Sequence, residues 1–194
     1  GLSKTEFLLN YNKEASADLQ NKCNDAITKR NSGIPLYYVL GECEFYSLKF
    51  YVGEGVLIPR QDTETLVDEV IKAIDGRKDL KVLDLCSGSG CIAISVAKNT
   101  GCHVDAVELH QKAYNFLCKN IDYHKADVTP ILADALTYKG DYDVVVSNPP
   151  YIESRELELL EKKVTEASSG QASIDISDKL YFAEIDGEAV VFED

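Results

Sequence analysis

The sequence predicts an α/β fold: a parallel, doubly wound sheet, preceded by a small helical segment and a β-hairpin. Two observations carry that expectation. From Leu80 onward, short apolar runs alternate with helix-period segments, the pattern that makes βαβ units and a parallel sheet. The first of these runs also passes into its helix through a glycine-rich turn, Asp84-Leu85-Cys86-Ser87-Gly88-Ser89-Gly90.

The elements follow in order. Residues 3 to 30 place Phe7, Leu8, Tyr11, Leu19, Cys23 and Ile27 at helical spacing, with Ser3 or Thr5 as a cap. Asn31-Ser32-Gly33 ends these helices, and Ile34-Pro35 starts an extended segment. Residues 36 to 58 mix aromatic and β-branched residues with glycines, which predicts a β-hairpin. After Pro59 a helix follows, capped by Asp62 or Thr63, with Leu66, Val67, Val70, Ile71 and Ile74 on its apolar face. Then come strand KVLDL, helix CIAISVAKN, strand HVDAVE, helix QKAYNFLCKNI, strand VTPILAD and strand YDVVVSN. The expected organisation is residues 1–33 as a helical N-terminal substrate-binding domain, 34–58 as a hairpin linker and 59–194 as the main domain.

Composition narrows the function. The chain has 194 residues, 45% hydrophobic and 27% charged, within the range of globular domains. No apolar run reaches transmembrane length and the start carries no signal-peptide core, so a cytoplasmic location is expected. The net charge of −13 argues against nucleic acid as a direct partner, because phosphate contacts call for a basic footprint. Six cysteines without a CxxC pair, and His103, His110 and His124 without ligand spacing, give no expected metal site. There is no methionine.

The glycine loop follows a strand and opens a helix, the context of a cofactor-binding turn. Glycines let the backbone approach a ligand and leave amide N–H groups at a helix start. Glu108 ends the next strand, where a carboxylate accepts hydrogen bonds from ribose hydroxyls. Asp134, beyond the third strand, lies where the edge of an adenine would fall. A dinucleotide loop would carry a third glycine at Ala93, although alanine is tolerated there. Asp84 shifts the balance: beneath the loop it would repel a pyrophosphate but suits a cationic amino group, such as that of S-adenosylmethionine. The fourth strand, Val144 to Val146, then stops at Asn148-Pro149-Pro150-Tyr151. Proline restricts both its own φ and the preceding residue, so this end presents fixed carbonyls.

The order Asp84, Gly88, Gly90, Glu108, Asp134 and Asn148-Pro149-Pro150-Tyr151 resembles the Rossmann-like class I S-adenosylmethionine-dependent methyltransferases. The segment from Ile34 to Val67, with Ile58-Pro59-Arg60 and Thr63-Glu64, narrows it to a resemblance to the release-factor glutamine N5-methyltransferases, the HemK/PrmC family. The resemblance covers about residues 1 to 152. It implies methyl transfer to the side-chain amide of a protein glutamine, that of the Gly-Gly-Gln motif of peptide-chain release factors, with S-adenosylhomocysteine as product. It implies that the Asn148 side-chain oxygen and the Pro149 carbonyl each accept one N–H of that amide, and that Tyr151 packs against its plane. Asp84, Cys86, Gly88, Gly90, Glu108, Asp134 and Asn148 are the expected cofactor residues; Asn148, Pro149, Pro150, Tyr151 and Arg60 face the substrate, although an Arg60–Glu64 ion pair is an equal reading.

Two positions depart from the family pattern: Cys86 stands where it has glycine and Glu108 where it has aspartate. Cys86 must keep φ negative or fit a tight pocket. After Ile152 the match fades. The acidic run Glu153 to Glu166 reads as a solvated helix face, and LYFAEI and VVFED read as compressed later strands, expected of a sequence lacking part of a longer protein. A monomer is expected. The rival readings are an adenine-N6 DNA or RNA methyltransferase, which shares the Asn-Pro-Pro-Tyr form, and a non-catalytic S-adenosylmethionine-binding module.

Overall fold

A computed structural model describes residues 3–149 and the backbone of residues 181–185 and 188–192. The chain divides into two compact units, Gly1–Leu40 and Gly41–Asp194.

The first unit is helical. Helix α1 (Lys4–Leu9) starts at Ser3 with a capping box: the Ser3 hydroxyl accepts from the Glu6 N–H, and the Glu6 carboxylate accepts from the Ser3 N–H at 2.8 Å. Helix α2 (Ala17–Asn31) is capped by Ser16 and ends before Gly33, whose φ is 93°. Helix α3 (Leu36–Leu40) corrects the extended segment expected after Pro35. Proline fixes a helix-compatible φ at an N-terminus, and the Pro35 carbonyl accepts from the N–H groups of Tyr38 and Val39. No residue of these three helices is buried.

The second unit opens with the hairpin of β1 (Glu42–Phe45) and β2 (Leu48–Tyr51), paired from Glu42↔Tyr51 to Phe45↔Leu48. Its two-residue turn, Tyr46-Ser47, has positive φ at both positions (51° and 57°), which matches strand twist but costs residues other than glycine about 1–2 kcal/mol each. Outside bonds offset that cost. The Tyr46 N–H donates to Glu64 at 2.7 Å and the Tyr46 hydroxyl donates to Asp68 at 2.6 Å. Phe45 and Phe50 meet edge to face beneath the hairpin.

Helix α4 (Asp62–Ile74) buries Thr63, Leu66, Val67, Val70 and Ile74, and leaves Ile71 only half-buried. Neither Asp62 nor Thr63 caps it; the cap position is Gln61, with no side-chain bond. A missing cap costs about 1 kcal/mol, whereas each fully buried aliphatic side chain contributes about 1.5–3 kcal/mol, so packing decides.

The main sheet comprises β3 (Val82–Leu85), β4 (Val104–Glu108), β5 (Val128–Leu132), β6 (Val144–Ser147), β7 (Tyr181–Ile185) and β8 (Glu188–Phe192), in the order β5-β4-β3-β6-β7-β8. The first four are parallel, while β7 is antiparallel to both β6 and β8. Only two residues join β7 to β8, and that length closes only an antiparallel pair. Pro130, which has no N–H to give, sits on edge strand β5.

Helices α5 (Cys91–Thr100) and α6 (Gln111–His124) supply the crossovers after β3 and β4. Helix α4 packs on α5, and α5 on α6. On the other face of the sheet, Leu83, Leu85, Val107 and Val145 are covered by Ile131, Ala133, Ala135, Leu136, Tyr138 and Tyr142. Among the described residues, no helix is long and apolar enough to cross a membrane.

Candidate active site

Strand order reverses direction at β3. The crossover after β3 leads outward to β4, whereas β6 lies on its other side. A crevice opens between such diverging connections, at the carboxyl ends of the strands. Residues 86–90 follow β3 and Asn148-Pro149 follow β6, so the two sequence motifs meet there. The Ser147 hydroxyl donates to the Leu85 carbonyl at 2.9 Å and joins the two strand ends.

The loop is shaped from within. Gly88 and Gly90 have φ of 55° and 80°, and the Gly90 N–H closes the turn on the Ser87 carbonyl at 2.7 Å. The two glycines serve different ends. A Cβ on Gly90 would lie 2.5 Å from Leu117 Cδ1 of α6, so that glycine is required by packing. A Cβ on Gly88 would meet only Val56 Cγ2, at 4.0 Å, so that backbone borders open space.

Cys86 takes the second course open to it. Its φ is 60°, at a cost of about 1–2 kcal/mol, and its side chain packs on the apolar cluster around Leu85. Burial pushes its thiol up to about 12, so it stays protonated and unreactive at neutral pH.

Glu108 is buried at the end of β4. One carboxylate oxygen accepts from the Gly88 N–H at 2.9 Å and the other from the His110 N–H at 2.8 Å. Each oxygen retains a second lone pair for a ligand hydroxyl. Asp134, beyond β5, accepts from the Leu136 N–H at 2.9 Å. Adjacent strands thus end in two carboxylates, each oriented by backbone.

Asp84 is fully buried and turned toward α5, where one oxygen accepts from the Ala93 N–H at 3.2 Å. The other oxygen, Oδ1, makes no hydrogen bond among the described residues. The carboxylate therefore lies under the loop, without exposed surface of its own. Burial raises its pKa from the ordinary 3.8 to about 7. Ionising it thus penalises the folded state: the penalty is absent below the ordinary value, grows with rising pH, and is complete above the raised one. Asp84→Asn keeps an acceptor for Ala93 and carries no charge. It is expected to melt above the parent protein at about pH 8, by a margin that shrinks toward about pH 5. Calorimetry across that range measures the margin, and one that does not change with pH would count against this origin.

At the end of β6 the Asn148 side chain is half-buried, and its Nδ2 donates to the Thr63 hydroxyl at 3.2 Å, across 85 positions of sequence. Thr63, considered from sequence only as a cap, is thereby part of the site. Arg60 lies exposed just before α4, and its carbonyl accepts from the Thr63 N–H. Glu64, the alternative ion-pair partner of Arg60, accepts from the Tyr46 N–H. Pro150, Tyr151 and the acidic run Glu153 to Glu166 lie outside the described residues.

A second residue that sequence reasoning missed is Asn120 of α6. Fully buried, it donates to the carbonyls of Ser89 (2.9 Å) and Tyr51 (3.1 Å) and accepts from the Tyr51 N–H at 2.8 Å. It ties the hairpin to the glycine loop. An amide at core spacing after Ala113 and Leu117 was the available signal.

Residues 61–171 match the family model of the methyltransferase small domain, and residues 1–41 match that of the PrmC N-terminal domain. The release factor glutamine methyltransferase of Flavobacterium psychrophilum is 42% identical over 68% of this chain and 49% of its own length. That of Fusobacterium nucleatum is 35% identical over 93% of this chain and 53% of its own length. That of Bacillus cereus is 34% identical over 93% and 67%. The chain thus spans about half the length of the first two. Among solved structures, the M. jannaschii tRNA m1G37 methyltransferase aligns with a TM-score of 0.52 at 20% identity, over 65% of this chain and 38% of its own. The M. jannaschii relative and the putative RNA methyltransferase PH1948 from Pyrococcus horikoshii (TM-score 0.51, 20% identity, 59% and 56% covered) share the class I methyltransferase fold. Such distant likeness fixes only the fold; the sequence relatives and the two family models, matched on both units, go further, and the chain belongs to the release factor glutamine methyltransferase family.

Proposed function

We propose that the chain binds S-adenosylmethionine in the crevice above β3 and β6 and methylates the side-chain amide nitrogen of a protein glutamine, that of the Gly-Gly-Gln motif in a peptide-chain release factor. The observation that carries this reading is the half-buried Asn148 amide, fixed at the end of β6 beside the glycine loop. The residues present fit the cofactor. Gly88 borders open space, Glu108 and Asp134 offer oriented acceptors for a ribose and an adenine edge, and Asp84 Oδ1 is a buried acceptor that makes no hydrogen bond among the described residues.

When bound, S-adenosylmethionine supplies a methyl group already activated on a sulfonium. The chain's task is orientation, which can itself supply much of a rate enhancement. An amide nitrogen is a poor nucleophile because its lone pair is delocalised into the carbonyl. Asn148 Oδ1 and the Pro149 carbonyl each accept one N–H and so direct the remaining lone pair at the methyl carbon; as the C–N bond replaces the sulfur–methyl bond, S-adenosylhomocysteine is the leaving group and the nitrogen gives up one proton to solvent. Proline at 149 fixes its own φ and restricts the Asn148 backbone, so both acceptors are presented from a stiffened chain. Tyr151 supplies a flat face, Pro150 belongs to the same substrate-facing set, Arg60 contacts the substrate, and Cys86 with Gly90 shapes the loop. The helical N-terminal segment takes part in holding the protein substrate.

The net charge of −13 weighs against the adenine-N6 reading. We read the protein as a cytoplasmic monomer. The test incubates it with methyl-labelled S-adenosylmethionine and, separately, a release factor, a Gly-Gly-Gln→Gly-Gly-Ala release factor and duplex DNA. Label on the glutamine-bearing factor alone supports the proposal. Label on DNA alone sinks it, and cofactor binding without transfer favours the non-catalytic module.

A further inference from the structure

We propose that Thr63 is the positioning residue for Asn148, holding its side-chain amide in place with Oδ1 toward the substrate; this rests on the glutamine reading above. An asparagine side chain has two chemically opposite ends of similar shape. Only the oxygen end can accept a substrate N–H, so a free amide that turns over would present donor to donor. The Thr63 hydroxyl accepts from Nδ2 at 3.2 Å, with Oδ1 on the opposite side of the amide; because a hydroxyl can also donate, what the bond supplies is a held side-chain torsion rather than a choice of end by itself.

Thr63 is suited to that task. It is 2% exposed, so water does not compete for its hydroxyl. It sits in the first turn of α4, one turn before Leu66 and Val67, both fully buried. Its neighbour Glu64 is anchored to the hairpin turn through the Tyr46 N–H at 2.7 Å. The strand end that carries Asn148 is fixed separately, through the Ser147 bond to Leu85. Both halves of the Asn148–Thr63 pair therefore sit on held backbone.

The test uses Thr63→Val, an isosteric change at a buried position, with Thr63→Ser as the rescue. Expected for Thr63→Val is a fall of roughly ten- to a hundredfold in kcat on the release factor, the scale of a misplaced reacting group. The KM for S-adenosylmethionine and the melting temperature stay near those of the parent, and Thr63→Ser recovers most of the turnover. Thr63→Val combined with Asn148→Ala should lose no more than Asn148→Ala alone, because the two act as one unit. A second readout needs no turnover: the Asn148 side-chain 15NH2 signals, assigned by their loss in Asn148→Ala, should be slow to exchange in the parent and Thr63→Ser and fast in Thr63→Val. Parent-like turnover and exchange in Thr63→Val overturn the assignment. If the parent transfers no methyl to glutamine, the functional reading falls, and the exchange measurement still decides the role of Thr63.

Discussion

Asn148→Ala is expected to lower turnover on a glutamine substrate by roughly a hundredfold or more while leaving the protein folded and able to bind cofactor. Its side chain is half-buried and makes one described hydrogen bond, to Thr63, so truncation opens no large cavity. On the proposed reading, what disappears is one of the two acceptors for the substrate amide. The Pro149 carbonyl can still take one substrate N–H, but a single acceptor leaves the amide free to rotate about that bond. The lone pair then spends little time aligned with the methyl carbon. Single-turnover rates at saturating cofactor isolate this step from binding. A variant that keeps more than a tenth of parental turnover would mean that Asn148 does not hold the reacting amide.

Gly90→Ala is expected to destabilise the fold by about 2–5 kcal/mol, the sum of a left-handed backbone penalty and overpacking against Leu117 and Ile94. For a domain of this size that is a drop of roughly 5–15 °C in melting temperature. Gly88→Ala supplies the contrast. Its φ is also positive, but the added methyl meets open space, so only the backbone penalty of about 1–2 kcal/mol applies. Its methyl should instead obstruct a ligand lying on the loop, so Gly88→Ala should bind S-adenosylhomocysteine at least tenfold more weakly. Calorimetric unfolding and titration of both variants separate the roles. Equal melting temperatures for the two would contradict the packing role assigned to Gly90.

Most of this architecture is legible because its signals are periodic or compositional. Strand β6 is apolar on both faces, β3 and β4 are apolar but for Asp84, Asp105 and Glu108, and the glycine loop marks its own strand and helix. The failures are local. Helix α3 lies inside the segment 36–58 whose aromatic and β-branched content predicts a hairpin, because the fixed φ of Pro35 starts a helix as readily as an extended run. Thr63 reads as a cap by type and place, and only the tertiary structure brings Asn148 to its hydroxyl. Asn120 shows the same thing from the other side. A polar residue on an apolar helix face is a signal that some buried carbonyl needs a donor, but sequence cannot say that the carbonyls belong to Tyr51 and Ser89. Asp84 was placed beneath the loop by its position, and its burial against α5 follows from strand alternation, since Leu83 and Leu85 point to the opposite face.

The Tyr46-Ser47 turn has an implication for protein engineering. Its backbone is unfavourable for its own residues and is held by Glu64 and Asp68, two positions of the helix that also carries Thr63. Hairpin and helix start are therefore a single transplantable cassette, residues 42–68. A chimaera that grafts a relative's hairpin without the matching first two turns of α4 inherits a strained turn with no anchor, and passes the slack to the Asn148 amide. Grafts cut at position 69 should remain active where grafts cut at position 52 do not.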